Sequence, residues 1–144
     1  MKKRKLLRQF DTQEAEALAD EGIRISYRAA KKWWTDLAYD LAIWALERFP
    51  LFTTDMIEIR GLPKIKSKTA LGGVVRRLLA EEKMTPAGRT VKSRWKPNHR
   101  RPKPVYRSAF FDAEGRVKKL KGITPEEKTL LMQVYDDCYQ AVAK

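Results

Sequence analysis

The stretch Ser67-Lys-Thr-Ala-Leu-Gly-Gly-Val-Val-Arg-Arg-Leu-Leu-Ala-Glu-Glu82, followed by Gly88-Arg-Thr-Val-Lys-Ser-Arg-Trp-Lys-Pro-Asn-His-Arg-Arg101, decides how this chain folds. In the first run Leu71, Val74, Val75, Leu78 and Leu79 recur at three- and four-residue spacing, the period of a helix with one apolar face. Ser67 is a good N-cap. The opposite face carries Thr69, Gly73, Arg76 and Ala80, with Arg77 beside it, so it is small and basic. Gly72 and Gly73 each cost about 1 kcal/mol against alanine inside a helix. That cost asks for a reason: close packing of a neighbouring helix, or close approach of the backbone to the groove of a partner. In the second run Thr90 and Val91 begin a strand, Lys96–Pro102 is a turn-rich basic tip, and Val105–Phe111 is a returning strand. The pattern predicts a β-hairpin over 88–108 with a cationic loop.

The segments upstream supply a scaffold. Lys32–Arg48 reads as a helix, with Trp34, Leu37, Ala38, Leu41 and Ala45 on one stripe and Asp36, Asp40 and Glu47 opposite. Ile43 and Leu46 sit off the stripe, which calls for a second element to cover them. Pro50 closes the segment. Residues 53–60 read as a short helix with Thr53 as its cap, Asp55 in its first turn, Phe52 as a hydrophobic staple on Ile57, and Gly61 and Pro63 as its stop. Before these, the basic start of the chain, a short helix over Asp11–Glu21 ended by Gly22, and an extended link over Ile23–Tyr27 form an N-terminal region, 1–31.

Downstream, Asp112–Gly115 is a turn leading toward a third short strand near Val117. Thr124-Pro-Glu-Glu127 is a helix start, with Thr as cap, Pro in the first turn and Glu behind it. The helix over 124–143 places Leu131, Val134, Tyr135, Cys138 and Val142 on one face, suited to a core or to the seam of a homodimer. Three regions result: 1–31, a compact domain over 32–111, and a turn with an amphipathic helix over 112–144.

Charge is distributed unevenly along these regions. The chain carries +13 overall. Residues 1–58 hold ten Lys/Arg and ten Asp/Glu, and residues 112–144 hold six of each. Residues 59–111 hold fifteen Lys/Arg against only Glu81 and Glu82, so the whole surplus lies there. Concentrating like charge costs self-repulsion that a polyanion relieves, and nucleic acid releases counterions when its phosphates are neutralised. The order helix, short helix, helix, basic hairpin is that of a winged helix-turn-helix: two helices present the second to DNA, and the hairpin reaches the flanking backbone or minor groove.

Residues 52–107 also resemble a winged-helix family common in phages and other mobile elements. The resemblance rests on Phe52-Thr53-x-Asp55, Gly61-Leu-Pro63, Ala70-Leu-Gly72-Gly-Val-Val-Arg76, and the hairpin run Gly88-Arg-Thr-Val-Lys-Ser93-Arg-Trp-Lys-Pro97-Asn-His99-Arg-Arg101. It covers about 40% of the chain. Two places depart from the family pattern: Glu82-Lys83-Met84 before the hairpin and Val105-Tyr106-Arg107 at its close. The resemblance implies an α+β winged helix-turn-helix, a three-helix core plus a basic wing with helical extensions at both ends. It also implies DNA binding in the control of transcription or replication.

The candidate contacts follow. On the third helix and its approach they are Lys66, Ser67, Lys68, Thr69, Gly73, Arg76 and Arg77. On the hairpin they are Arg89, Lys92, Arg94, Lys96, His99, Arg100, Arg101 and Lys103. Arginine reads guanine edges bidentately, and lysines and arginines of a wing suit phosphates or a minor groove. Trp95 suits packing under the wing or stacking on a base. The adjacent acids of Glu81-Glu82 and Asp136-Asp137 do not converge as a metal-dependent nuclease requires. The lone His99 has no catalytic partners, and Cys138 is the only cysteine. The reading is a non-enzymatic double-stranded DNA-binding protein without cofactor or metal. No 18-residue apolar run suits a membrane span, and the single thiol suits the cytoplasm. Binding to RNA or to single strands, and a protein-interaction adaptor, are the alternatives.

Overall fold

A computed structural model describes residues 24–65, 70–98, 100–112 and 115–143. The chain divides into two compact units, Met1–Leu37 and Ala38–Lys144. Helix α1 (Arg24–Leu46) runs across that boundary. The short helix over 11–21 lies outside the described residues. The extended link expected over 23–27 is not found from Arg24 onward, where the backbone is already helical. Ile, Ser and Tyr tolerate a helix, and their β preference is weak against the continuing helical run.

The second unit is α+β. After α1 come β1 (Leu51–Phe52), α2 (Asp55–Ile59), α3 (Ala70–Ala80), β2 (Met84–Lys92), β3 (Pro102–Ser108) and α4 (Pro125–Ala143). The strands form one antiparallel sheet in the order β1-β3-β2. Leu51 pairs with Arg107 and Phe52 with Tyr106 on one side of β3, while Met84 pairs with Ser108 and Lys92 with Pro102 on the other. β1 escapes sequence reading because two residues show no alternation.

The hairpin is longer at its base than the expected 88–108. β2 begins at Met84 and includes Pro86, opposite Tyr106. A register shift between Pro86 and Thr90 lets Ala87, Gly88 and Arg89 bulge from the ladder, with Gly88 at φ +72°. The bulge hides the strand from a period-two reading, because alternation breaks where the extra residues loop out. β3 ends at Ser108 and not at Phe111. The Ser108 hydroxyl donates to the Leu46 carbonyl at 2.5 Å and accepts the Phe110 N–H at 3.2 Å, which turns the chain. No strand forms near Val117. That segment runs past the end of α1, where the Lys118 N–H donates to the Arg48 carbonyl at 2.8 Å.

The core of this unit draws on every element. Ala38, Ala42, Ala45 and Leu46 of α1 are buried with Phe49, Phe52, Met56, Ile57, Val74, Leu78, Met84 and Val105. Leu46, off the expected stripe, is fully covered. Leu131, Val134 and Cys138 of α4 complete this core, and α4 packs on β2, β1 and α2. Leu131, Val134 and Cys138 of the face considered for a homodimer seam are therefore covered by the same chain, while Tyr135 and Val142 are half-buried. Thr124 caps α4 as expected, accepting the Glu127 N–H at 3.1 Å. Thr53 does not cap α2 with its side chain. It is buried, its Oγ1 has no hydrogen-bond partner, and its carbonyl accepts the Met56 N–H at 3.1 Å. Gly61, at φ +106°, ends α2 in the left-handed conformation foreseen for it.

Candidate nucleic-acid interface

Of the expected contacts, Lys66, Ser67, Lys68, Thr69 and His99 lie outside the described residues. On α3 the buried side is Ala70, Val74 and Leu78. Gly72, Gly73, Arg76, Arg77 and Ala80 are exposed, and Leu71, Val75 and Leu79, expected on the inward stripe, are only half-buried, because the buried row runs through every fourth residue from Ala70. A Cβ added at Gly72 or at Gly73 meets nothing within 4 Å. Neighbouring-helix packing, one of the two reasons considered for these glycines, is thus absent among the described residues.

Arg76 and Arg77 have different surroundings. Arg76 is exposed and makes no ion pair among the described residues. Arg77 is engaged: its Nε donates to Glu81 at 3.1 Å, and its guanidinium stacks 3.9 Å from the centre of the Tyr39 ring. The Tyr39 hydroxyl donates to the same Glu81 carboxylate. Glu81 is held below the usual carboxylate range by the Tyr39 and Arg77 hydrogen bonds, and Tyr39 is raised chiefly by its bond to Glu81. Tyr39 was not foreseen, because α1 and α3 lie far apart in sequence.

The hairpin cations are displayed by a constrained tip. The Ser93 N–H donates to the Arg101 carbonyl at 3.0 Å, and the Arg101 N–H to the Asn98 carbonyl at 3.0 Å. Arg100 sits between them at φ +59°, a left-handed conformation uncommon for a side-chain-bearing residue. The tip is tied to α2 through Asp55, which accepts from the Ser93 hydroxyl at 2.6 Å and from the Asn98 amide at 2.9 Å. Asn98 also donates to Glu58 at 2.6 Å. Ser93 and Asn98 are neutral polar residues within a cationic run, and both are buried.

Arg89, Lys92, Lys96, Arg100 and Arg101 are exposed, and Lys103 is half-buried. Arg94 is different: its guanidinium pairs with the Asp137 carboxylate of α4 through both Nε and Nη2, the latter at 3.1 Å. Asp137 holds the guanidinium's proton more firmly than usual. Arg60 is likewise engaged, 2.5 Å from Glu127 and stacked on Trp44. Lys92, Arg94, Lys96 and Arg100 line one groove together with α4.

Among the described residues no cluster of His, Cys, Asp and Glu is arranged to hold a metal ion. Burial pushes the Cys138 thiol up to about 12, with the charges of Asp137 and Asp55 adding to the effect, so it stays protonated. No helix among the described residues is long and apolar enough to cross a membrane. Comparison with protein-family models, with curated proteins and with solved structures yields no match.

Proposed function

We propose that this chain is a non-enzymatic protein that binds double-stranded DNA as a winged helix-turn-helix, with α2 and α3 as the helix pair and β2–β3 as the wing. The observation that carries the reading is the exposed face of α3. Gly72 and Gly73 stand open to solvent beside Arg76, and α3 contains no acid. Two glycines on an exposed helix cost about 2 kcal/mol together against alanine. Nothing among the described residues accounts for that cost. A partner whose surface comes close to the backbone does, and the major groove of DNA admits a helix in this way.

Three further features support it. The sheet order β1-β3-β2, with β1 between the first two helices of the unit, is the connectivity a winged helix requires. The surplus charge of 59–111 falls on α3, its approach and the hairpin. The resemblance of 52–107 to winged-helix proteins of mobile elements extends the reading to control of transcription or replication inside a host cell. Arg76 reads base edges in this arrangement, and Arg89, Lys92, Lys96, Arg100 and Arg101 neutralise phosphates.

Selection from random duplexes, followed by footprinting at several salt concentrations, tests the proposal. A protected duplex segment with steeply salt-dependent affinity is the expected result. Failure to bind any duplex at low salt overturns it.

A further inference from the structure

Between the hairpin and α4 lies an open groove of about 910 Å³, and no residue of α3 lines it. Its hairpin wall carries Lys92, Lys96, Arg100 and the half-buried Trp95. Its α4 wall carries Gln133 and Gln140, both exposed. Asp137 also lines it, but its charge is matched by Arg94, so the three remaining hairpin cations stand in excess. None of those three forms an ion pair among the described residues.

We propose that this groove binds an unpaired nucleic-acid strand, so that the protein prefers a duplex bearing a single-stranded tail to a blunt duplex. The inference rests on the duplex-binding reading for the paired segment and assigns the phosphates met by Lys92, Lys96 and Arg100 to an unpaired continuation of the same ligand. The chemistry of the walls selects the occupant. A duplex keeps its base faces stacked and its pairing edges engaged, so it has neither to give to these walls. A single strand offers phosphates to Lys92, Lys96 and Arg100, a base face to the indole of Trp95, and base edges to the amides of Gln133 and Gln140. An acidic peptide matches the cations but offers the tryptophan a flat ring only where it carries an aromatic residue, whereas every nucleotide carries one. Trp95 is held at the groove by its own backbone: its N–H donates to the Ser93 hydroxyl at 3.2 Å, and that hydroxyl is fixed to Asp55.

The test compares fluorescence anisotropy titrations of one duplex, blunt and with a short unpaired tail, at fixed salt. The expected result is about tenfold tighter binding of the tailed form, the scale of one stacked base. Replacing the two exposed amides, Gln133→Glu with Gln140→Glu, brings the ratio of the two affinities close to one. The uncharged pair Gln133→Ala with Gln140→Ala lowers the ratio without altering net charge. Equal binding of blunt and tailed duplex by the wild type, with the duplex itself bound, overturns the groove and leaves the α3 reading standing. A tail preference that survives both double variants also overturns it. Binding of an unpaired strand that the variants weaken, with no binding of blunt duplex, keeps the groove and removes the α3 reading.

Discussion

The Asp55 carboxylate accepts a 2.6 Å hydrogen bond from the Ser93 hydroxyl across 38 residues of sequence, and both side chains are buried. The start of α2 and the neck of the hairpin are thus joined by a polar link inside the fold. With Asn98 as a second donor, Asp55 ties down a tip that otherwise holds mostly cations.

Loss of that link should be costly. A hydrogen bond to a carboxylate contributes about 1.5–3 kcal/mol, and a buried acceptor left unpaired adds a penalty of its own. Ser93→Ala is expected to lower stability by about 2 kcal/mol, and Asp55→Ala by more, because it takes an acceptor from both the serine and the asparagine. Urea unfolding followed by tryptophan fluorescence measures both. A Ser93→Ala midpoint equal to the wild type would show that the link is dispensable.

The glycines of α3 make an opposite prediction. Since an added Cβ meets nothing, Gly72→Ala and Gly73→Ala should each stabilise the fold by up to about 1 kcal/mol. Gly73→Leu should leave the fold intact while weakening duplex binding at least tenfold, because its bulk stands between the helix and a groove. Thermal melts and a binding titration on the same preparation decide the matter. Unchanged affinity in the leucine variant argues that no partner approaches this face.

Arg76→Ala should relax sequence preference, flattening the difference between a selected duplex and a scrambled one. An equal loss on both duplexes would demote Arg76 to a phosphate contact.

The Arg94–Asp137 pair predicts a gain. Asp137→Asn removes the acid that neutralises Arg94, so duplex affinity should rise and the salt dependence should steepen by about one counterion. The pair is partly exposed and contributes little to stability, so the melting temperature should move only slightly. Affinity measured from low to moderate salt gives the slope, and an unchanged slope refutes a role for the freed charge.

Alkaline pH should destabilise the protein through Cys138. Its folded thiol is pushed up to about 12 by burial, whereas an unfolded cysteine ionises near 8.5–9. Over that interval the unfolded state loses a proton that the folded state keeps, so stability falls as pH rises, by up to about 1.4 kcal/mol per pH unit. Tyr106 and Tyr135, also raised by burial, act in the same direction at the upper end. Cys138→Ala removes the thiol's share of the slope. A thiol reagent should modify Cys138 only on unfolding, and rapid labelling of the native protein would contradict this burial.

What could be read beforehand was what is periodic or locally capped. The Thr124 cap and the Gly61 stop are set by neighbours within four residues, and each appears where its pattern placed it, whereas of the stripe expected on α3 only Val74 and Leu78 are buried. The hairpin's base was misplaced because Pro86 and the bulge at 87–89 interrupt alternation. β1 was missed because its two residues become a strand only through Tyr106 and Arg107 on β3. Among the candidate contacts, cationic character was legible but engagement was not. Arg77 and Arg94 look like their neighbours until Glu81, Tyr39 and Asp137 are brought beside them by the fold.

The bulged start of β2 has one more consequence. β2 lies at the margin of its sheet, where unpaired amides invite a neighbouring molecule to add a strand. Pro86 supplies no amide there, the three bulged residues break the even spacing a visitor needs, and Arg89 and Lys92 repel an identical copy. The same irregularity that obscures this strand in the sequence keeps crowded molecules from zipping into aggregates.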